Sequence, residues 1–503
     1  MRDVKDPEFT VGVVGAGVMG QGIAQVALAG GMRAVIFDAK EGAAEAGRGE
    51  VFKRIDRLVE KGQLDQAAAE TQKGRLSVAS SLSDFSGCDT VVEAVVENLD
   101  VKRKIFGELE GIVAEDAILA TNTSSLPIAS IARTCARPGR VAGMHFFNPV
   151  PLMRLVEIIE GPATEPAVAE KLAALGERMG RTPVKVKDSP GFLVNLGGRA
   201  YYTEALRLLD EGVATPSQID AILVDCCGFR MGPFALMDLT GMDVNYPVSM
   251  IVYEGFLNDR RLATTPHHKL LYEAGRLGRK TRAGHFDYDE KGKLTTPSDA
   301  DYQPTGMPAA TVFLAEPSEA LAAFCREVGL SVIGADDGIS PILGYPIGED
   351  ATTYAVRLGL DARRLVAVDL SVNTAKRVTL MTAPGADHAA LDGVAEAIVD
   401  AGRSVTAIKD SPGFVALRVR AAIANLGAAI AEAGLAAPAD IDLALKLGLN
   451  YPMGPLEMAE DLGVATTHQV MERLHAITGD DRYRSSLWLR RRALLGLPIH
   501  TPG

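Results

Sequence analysis

The chain is poor in the residues that build disulfide frameworks, metal centres and nucleic-acid surfaces. Only five of its 503 residues are cysteine, Cys88, Cys135, Cys226, Cys227 and Cys325. Their spacing fits neither a metal-ligand set nor an even disulfide framework, so free thiols in a reducing cytoplasm are expected, with no metal. Basic charge is short as well: the formal net charge is −12, whereas a nucleic-acid binder needs a basic stripe to displace counterions. Long uncharged runs are scarce. The exception, Thr10 to Met32, has the length to cross a bilayer, but its seven glycines and two glutamines argue against a membrane partner. No secretory signal is visible. What remains, 47% hydrophobic and 23% charged, is the composition of a soluble cytoplasmic protein, long enough for two to four domains.

The N-terminal third alternates strand and helix: VGVVGAG, a small-residue helix from about Gln21 to Leu28, AVIFD, a charged helix from Arg48 to Lys61, TVVEAVVE and AILATNT. Short apolar runs separated by amphipathic helices predict a parallel sheet covered on both faces. From about Gly191 the pattern is helical. Gly212 can close one helix there, and Thr215, Pro216 and Gln218 stand at the N-cap, first-turn and N3 positions of the next. A polar, proline-bearing stretch from Tyr288 to Pro308 reads as a linker. Beyond it the runs TVFLAEP, LSVIGADD, LVAVDL and RVTLMTAP suggest a second, shorter α/β unit.

The chain also repeats itself. KDSPGF stands at 187–192 and again 222 positions later at 409–414. The same offset carries Met231-Gly232-Pro233 to Met453-Gly454-Pro455, Gly241 to Gly463, Asp220 to Asp442 and Pro216 to Pro438. The expected architecture is therefore an α/β Rossmann-type N-terminal domain (1–190), an all-α domain (191–295), a reduced α/β unit (296–408) and a second all-α domain (409–503).

Gly15-Ala16-Gly17-Val18-Met19-Gly20 fits G-x-G-x-x-G between a strand and a helix, and a second strand ends at Asp38. The first glycine permits a tight turn, the second lets backbone approach a pyrophosphate, and the third lets the helix pack closely. Asp38 can accept from ribose hydroxyls and would repel a 2′-phosphate, which favours NAD; Lys40 nearby leaves NADP open. A strand-to-helix turn that binds nothing is the bland alternative.

In VAGMHFFNPVPLMRLVEII one apolar run ends at His145 and the next carries Glu157. On adjacent strands the two side chains would meet, the carboxylate fixing the imidazole tautomer and raising its basicity. A structural histidine beside an unrelated glutamate is the commoner outcome of such spacing. Ser124, within Thr121-Asn122-Thr123-Ser124-Ser125, reads equally well as a helix cap.

The segments GAGVMGQGIAQVAL, VVEAVVENLDVKRKIF, TNTSSLPI, GMHFFNPVPLMRLVEII, KDSPGFLVN and RMGPFALMDLTG resemble the 3-hydroxyacyl-CoA dehydrogenase family over nearly all of residues 10–290. The resemblance implies NAD-dependent oxidation of an acyl-CoA substrate, with His145 as general base, Glu157 orienting it, and Ser124 and Asn195 binding the reacting oxygen. It places Glu97 and Lys102 on the cofactor side and Asn148 in the active-site turn. It extends to the whole chain through a longer bacterial form that appends a reduced unit and a second helical domain. That form resembles enzymes of phenylacetate breakdown acting on 3-hydroxyadipyl-CoA, as well as 3-hydroxybutyryl-CoA dehydrogenases.

The second copy lacks G-x-G-x-x-G and HFFNPVP and carries Leu417 where the first has Asn195. One active site per chain is expected, with the helical domains packed as an internal pseudo-dimer and a homo-oligomer also open. Lys53, Arg54, Arg57 and Lys61 are candidates for coenzyme A phosphates, although a charged helix is usually a solvated face. Arg154 or Arg230 would suit a dicarboxylic acyl chain. One departure from the family pattern is Arg282, at the first glycine of a K-T-G-x-G-type segment; His285 nearby is a weak candidate for substrate contact. Alternative readings are a dehydrogenase of a free hydroxy or sugar acid such as L-gulonate, and a non-catalytic NAD-binding interaction protein.

Overall fold

The almost wholly apolar runs become the buried strands of two sheets in the computed structural model, which describes residues 2–503. The chain divides into two units, one comprising everything up to Leu196 together with Gly434–Leu449, the other Gly197–Ala433 with Asn450–Gly503.

The first unit is built on eight strands: β1 (Thr10–Val14), β2 (Arg33–Phe37), β3 (Leu76–Val78), β4 (Thr90–Glu93), β5 (Ile118–Thr121), β6 (Val141–Phe146), β7 (Leu155–Glu160) and β8 (Thr182–Lys187). Their order is β3-β2-β1-β4-β5-β6-β7-β8. Neighbours run parallel and are joined by crossover helices, except that β6 and β7 are antiparallel. Strands β4, β5 and β6 are buried at every position. The helices Val18–Ala29 and Pro166–Arg178 supply Ile23, Val26, Leu172 and Leu175 to the core against Val13, Ile36 and Val156. TVVEAVVE is strand only as far as Glu93, whose carboxylate accepts the Val95 N–H at 2.7 Å and turns the chain. Among the described residues no helix is long and apolar enough to cross a membrane. Thr10 to Met32 is instead β1, the glycine turn and the first helix.

The second unit holds β9 (Thr311–Leu314), β10 (Ser331–Ile333), β11 (Ile342–Gly344), β12 (Leu365–Val368), β13 (Arg377–Met381) and β14 (Ser404–Ile408), in the order β10-β9-β11-β12-β13-β14. Again one neighbouring pair, β12 and β13, is antiparallel. Because β11 lies directly beside β9, this sheet has no counterpart of β4, and none of the edge strand β3. The Tyr288–Pro308 stretch has irregular backbone apart from a bridge between Tyr288 and Leu294.

Helix boundaries follow their caps. Thr215 accepts the Gln218 N–H while the Gln218 side chain accepts the Thr215 N–H, with Pro216 at the first helical position. The helices Arg199–Asp210 and Ala416–Glu432 pack on each other within the second unit. The helix Pro438–Leu449, although it belongs to the second repeat, lies in the first unit against β7 and β8. Reciprocally, the helix Pro216–Cys227 lies against β13. The 222-residue offset does not run to the end: the capping residues Asp259 and Thr265 correspond to Asp480 and Ser486, 221 positions on. The slip arises after the helices Met242–Gly255 and Val464–Thr478: three residues, Phe256 to Asn258, lead to Asp259, whereas Gly479 alone leads to Asp480, and this outweighs the one extra residue in the second helix.

Candidate active site

The glycine turn leaves β1 with Gly15 at φ +108°, where an L side chain is strained. A Cβ on Gly20 would strike the Gly15 carbonyl, whereas one on Gly17 would meet nothing within 4 Å. Gly17 is the N-cap of Val18–Ala29 and offers no side chain to the first helical N–H groups. The space beside Gly17 is open and the first turn has no side-chain cap, as a site for a pyrophosphate requires. Asp38 steadies the turn: one oxygen accepts the Ala16 N–H at 2.8 Å and the other the Lys40 N–H at 2.9 Å. A second lone pair on each oxygen remains for ribose hydroxyls. The turn and Asp38 therefore fit an NAD adenosine diphosphate half. A Cβ on Gly22 would lie 2.7 Å from Val150, so this same helix is notched to receive the turn that follows β6.

His145 and Glu157 are direct partners across the antiparallel β6–β7 ladder. Nδ1 of the imidazole lies 2.6 Å from Glu157 Oε2, with the acid fully buried and the histidine side chain 7% exposed. Phe147 and Phe192 flank the ring at 4.5 and 5.8 Å between centroids. The carboxylate accepts an Nδ1 proton and leaves Nε2 with its lone pair. Glu157 is itself held: Oε1 accepts N–H groups from Leu193 at 3.1 Å and Val194 at 2.8 Å. Those donors converge because Gly191 and Phe192 stand at φ +76° and +51°, folding the SPGF segment back over β7. The same fold brings the Asn195 amide to 3.4 Å from the Ser124 carbonyl.

Ser124 is exposed on the loop after β5. The loop is drawn in by Glu97, whose Oε1 accepts from the Thr123 hydroxyl, from the N–H groups of Ser124 and Ser125 at 3.1 and 3.2 Å, and from the Ser125 hydroxyl at 3.0 Å. Lys102, 1% exposed, bridges Glu97 at 3.1 Å and the buried Glu93 at 2.8 Å. Burial alone would raise the Glu97 carboxyl; the Lys102 ammonium and these hydrogen bonds overcome it and hold the group below the ordinary carboxylate value.

His145, Glu157, Ser124 and Asn195 thus gather around one end of the first sheet. Asn148 is exposed in the turn beyond β6, before a cis bond to Pro149. Lys53 pairs with Glu50 and Arg54 with Gln21. Arg154 is exposed where β7 begins. Sequence reading missed Glu93, which also accepts from Thr121 at 2.7 Å, and Asn122, whose side chain accepts the Phe146 N–H at 2.8 Å and so ties the Ser124 loop to the histidine strand. An acid inside the apolar run TVVE was the available signal.

Comparison with known proteins accords with this geometry. Residues 10–189 match the family model described as 3-hydroxyacyl-CoA dehydrogenase, NAD binding domain. The model of that family's C-terminal domain matches twice, at 191–288 and 413–498. A 3-hydroxyadipyl-CoA dehydrogenase of Escherichia coli K12 is 36% identical over 490 residues, covering 97% of this chain and 98% of that protein. A probable 3-hydroxybutyryl-CoA dehydrogenase of Deinococcus radiodurans is 41% identical over 277 residues, 55% of this chain and 99% of its own length. The crystal structure of 3-hydroxybutyryl-CoA dehydrogenase from E. coli K12 superposes with a TM-score of 0.83 at 33% identity, over 97% of this chain and 98% of that one. The chain is a dehydrogenase of the 3-hydroxyacyl-CoA dehydrogenase family, and its cofactor is NAD.

Proposed function

We propose that the first unit oxidises a (3S)-3-hydroxyacyl-CoA to the 3-oxoacyl-CoA, with His145 as the general base. The observation that carries this reading is the 2.6 Å contact of His145 Nδ1 with Glu157, in the unit that also carries the open glycine turn. Glu157 keeps the imidazole in the tautomer whose Nε2 takes the hydroxyl proton. Ser124 and Asn195 hold the hydroxyl oxygen in line as it becomes a carbonyl. NAD, when bound, accepts the hydride that leaves the same carbon. In reduction His145 returns the proton. The Gly15–Gly20 turn and Asp38 hold the dinucleotide, and Glu97 with Lys102 fixes the Ser124 loop beside it.

The acyl group is 3-hydroxyadipyl or 3-hydroxybutyryl, the two after which relatives spanning the whole chain are named. In this reading the enzyme is cytoplasmic, has one active site per chain, and uses its two helical copies as an internal pseudo-dimer. The test is NADH absorbance with each thioester. Turnover is expected with one or both, is lost in His145→Gln, and is absent with free hydroxy acids such as L-gulonate; turnover of a free acid would overturn the thioester reading.

A further inference from the structure

The two repeats are not interchangeable where they meet. Arg418, on Ala416–Glu432, is 0% exposed and donates to Glu204 of Arg199–Asp210 at 2.7 Å; Glu204 is 1% exposed. Two more donations reach Glu211 at 2.7 and 3.0 Å, and others go to Tyr483 at 2.7 Å and Ser411 at 3.2 Å. The Tyr483 hydroxyl also donates to Glu204 at 2.6 Å. Every arm of the guanidinium has an acceptor, which is what a buried charge requires. Positions related by the 222-residue offset carry no charge: Arg418 corresponds to Leu196, Glu204 to Leu426, and Glu211 to Ala433. The two acids therefore belong to the first copy alone and Arg418 to the second, whereas Arg482, 3.7 Å from Glu204, has Arg261 as its counterpart.

A steric difference runs the same way in the other unit. Gly448, on the second copy's helix Pro438–Leu449, faces the first sheet so closely that a Cβ would lie 2.9 Å from Val194 and 3.1 Å from Leu155. The first copy's residue at the related position is Cys226, which is buried and donates from its thiol to the Arg377 carbonyl at 3.4 Å.

We propose that the helical surface of the first copy is built to take a second copy as its partner and to reject another first copy. A first–first pair would bury Glu204 against Leu196 without the guanidinium that hydrogen-bonds it, leaving only Arg261 in the place of Arg482, which stands 3.7 Å from Glu204, and would set Cys226 into the space that Gly448 leaves for Val194. A second–second pair would bury Arg418 against Leu426. Unpaired buried charges are strongly disfavoured, whereas apolar replacements of both members of such a pair are tolerated. Selectivity of this kind resides in what the wrong pair cannot satisfy. It keeps each chain paired within itself although its two halves share one fold.

The test uses the full chain. Arg418→Leu alone is expected to lower the thermal midpoint by several degrees, and the double variant Glu204→Leu/Arg418→Leu to regain most of that loss and keep activity within about threefold of wild type. After unfolding and refolding at micromolar concentration, the double variant is expected to give at least a fivefold larger fraction of multi-chain assemblies than wild type. A wild-type mass distribution for the double variant overturns the proposal, and so does failure of that variant to fold. Gly448→Cys probes the steric half separately: a lower thermal midpoint and at least a threefold loss of turnover are expected, and wild-type values for both overturn it.

Discussion

Phe192 and Phe414 both stand in the left-handed region, at φ +51° and +53°, each behind a glycine at +76°. The two SPGF turns are the same piece of backbone, and they serve different ends. In the first unit the N–H groups beyond Phe192 converge on Glu157. In the second, Thr379 takes the place of that acid, and its buried hydroxyl has no hydrogen-bond partner. The residue across the ladder from Thr379 is Asp369, whose N–H donates to the Thr379 carbonyl at 3.1 Å; no imidazole stands there. The nucleotide ends differ as sharply. Gly17 leaves its helix uncapped, while Ser318 accepts the Leu321 N–H at 3.3 Å and Glu319 adds negative charge to the first turn. That helix start is already satisfied and repels phosphate. The comparison teaches that the turn is kept by packing, and that chemistry is added or removed around it one side chain at a time.

The sharpest way to break the comparison is to remove the imidazole. His145→Gln is expected to lower kcat/KM by about 10³-fold, roughly 4 kcal/mol of transition-state stabilisation. Asp369→Asn, at the corresponding place in the second sheet, should leave turnover within about twofold. Steady-state NADH formation checks both. Next come the positions that distinguish the two SPGF segments. Asn195→Leu should cost about 10²-fold in kcat, the scale of losing one polar contact to the reacting oxygen. The reverse change, Leu417→Asn, should leave turnover unaltered, but Leu417 is fully buried, so stability should fall by about 1–3 kcal/mol, read from the thermal midpoint.

Much of this site was legible because it follows from local pattern. Two apolar runs, VAGMHF and LVEIIE, with a short proline-rich turn between, put His145 and Glu157 across one antiparallel ladder. The glycine turn and its acid declare themselves by spacing. Three features were not legible, each for a physical reason. Adding 222 to His145 gives Ala367, yet the ladder puts Asp369 opposite Thr379, because the second sheet is two residues out of step there. The helix Pro438–Leu449 joins the first unit through contacts far apart in sequence, and no periodicity within the helix reports them. Nor does any residue type signal the positive φ of Phe192, which Leu193 and Val194 need to reach Glu157.

A smaller effect separates the helical copies by pH. His268, fully buried in the first, accepts or donates to Thr264 at 2.8 Å through Nδ1 and lies 5.4 Å from the Tyr246 ring; its Nε2 has no hydrogen-bond partner. Burial, with Arg199 and His267 nearby, pushes its pKa down to about 3, and His285 is displaced in the same direction. The unfolded chain therefore binds a proton that the folded one refuses. Stability is complete above the unfolded value near 6.5 and is lost as pH falls from there toward 3. At about pH 5.5 the loss from His268 is roughly 1.4 kcal/mol. Its counterpart in the second copy is Leu489, so His268→Leu should flatten the dependence of the thermal midpoint on pH below 6.5.

The smallest expected effect concerns Arg282, which breaks the glycine pattern of its segment at φ +60°. That conformation is imposed from both sides, by the Arg282 N–H on the Arg279 carbonyl at 3.1 Å and the Tyr288 N–H on the Arg282 carbonyl at 3.0 Å. A side chain there costs about 1 kcal/mol relative to glycine. Against that stands only an exposed pair with Glu290 at 3.4 Å, both side chains well over half exposed, worth a few tenths of a kcal/mol. Arg282→Gly should therefore stabilise the protein by about 0.5 kcal/mol, and Arg282→Asn by less, since asparagine tolerates the left-handed region only in part. A lower thermal midpoint in Arg282→Gly would mean that the arginine side chain, not the backbone it strains, is what holds the segment.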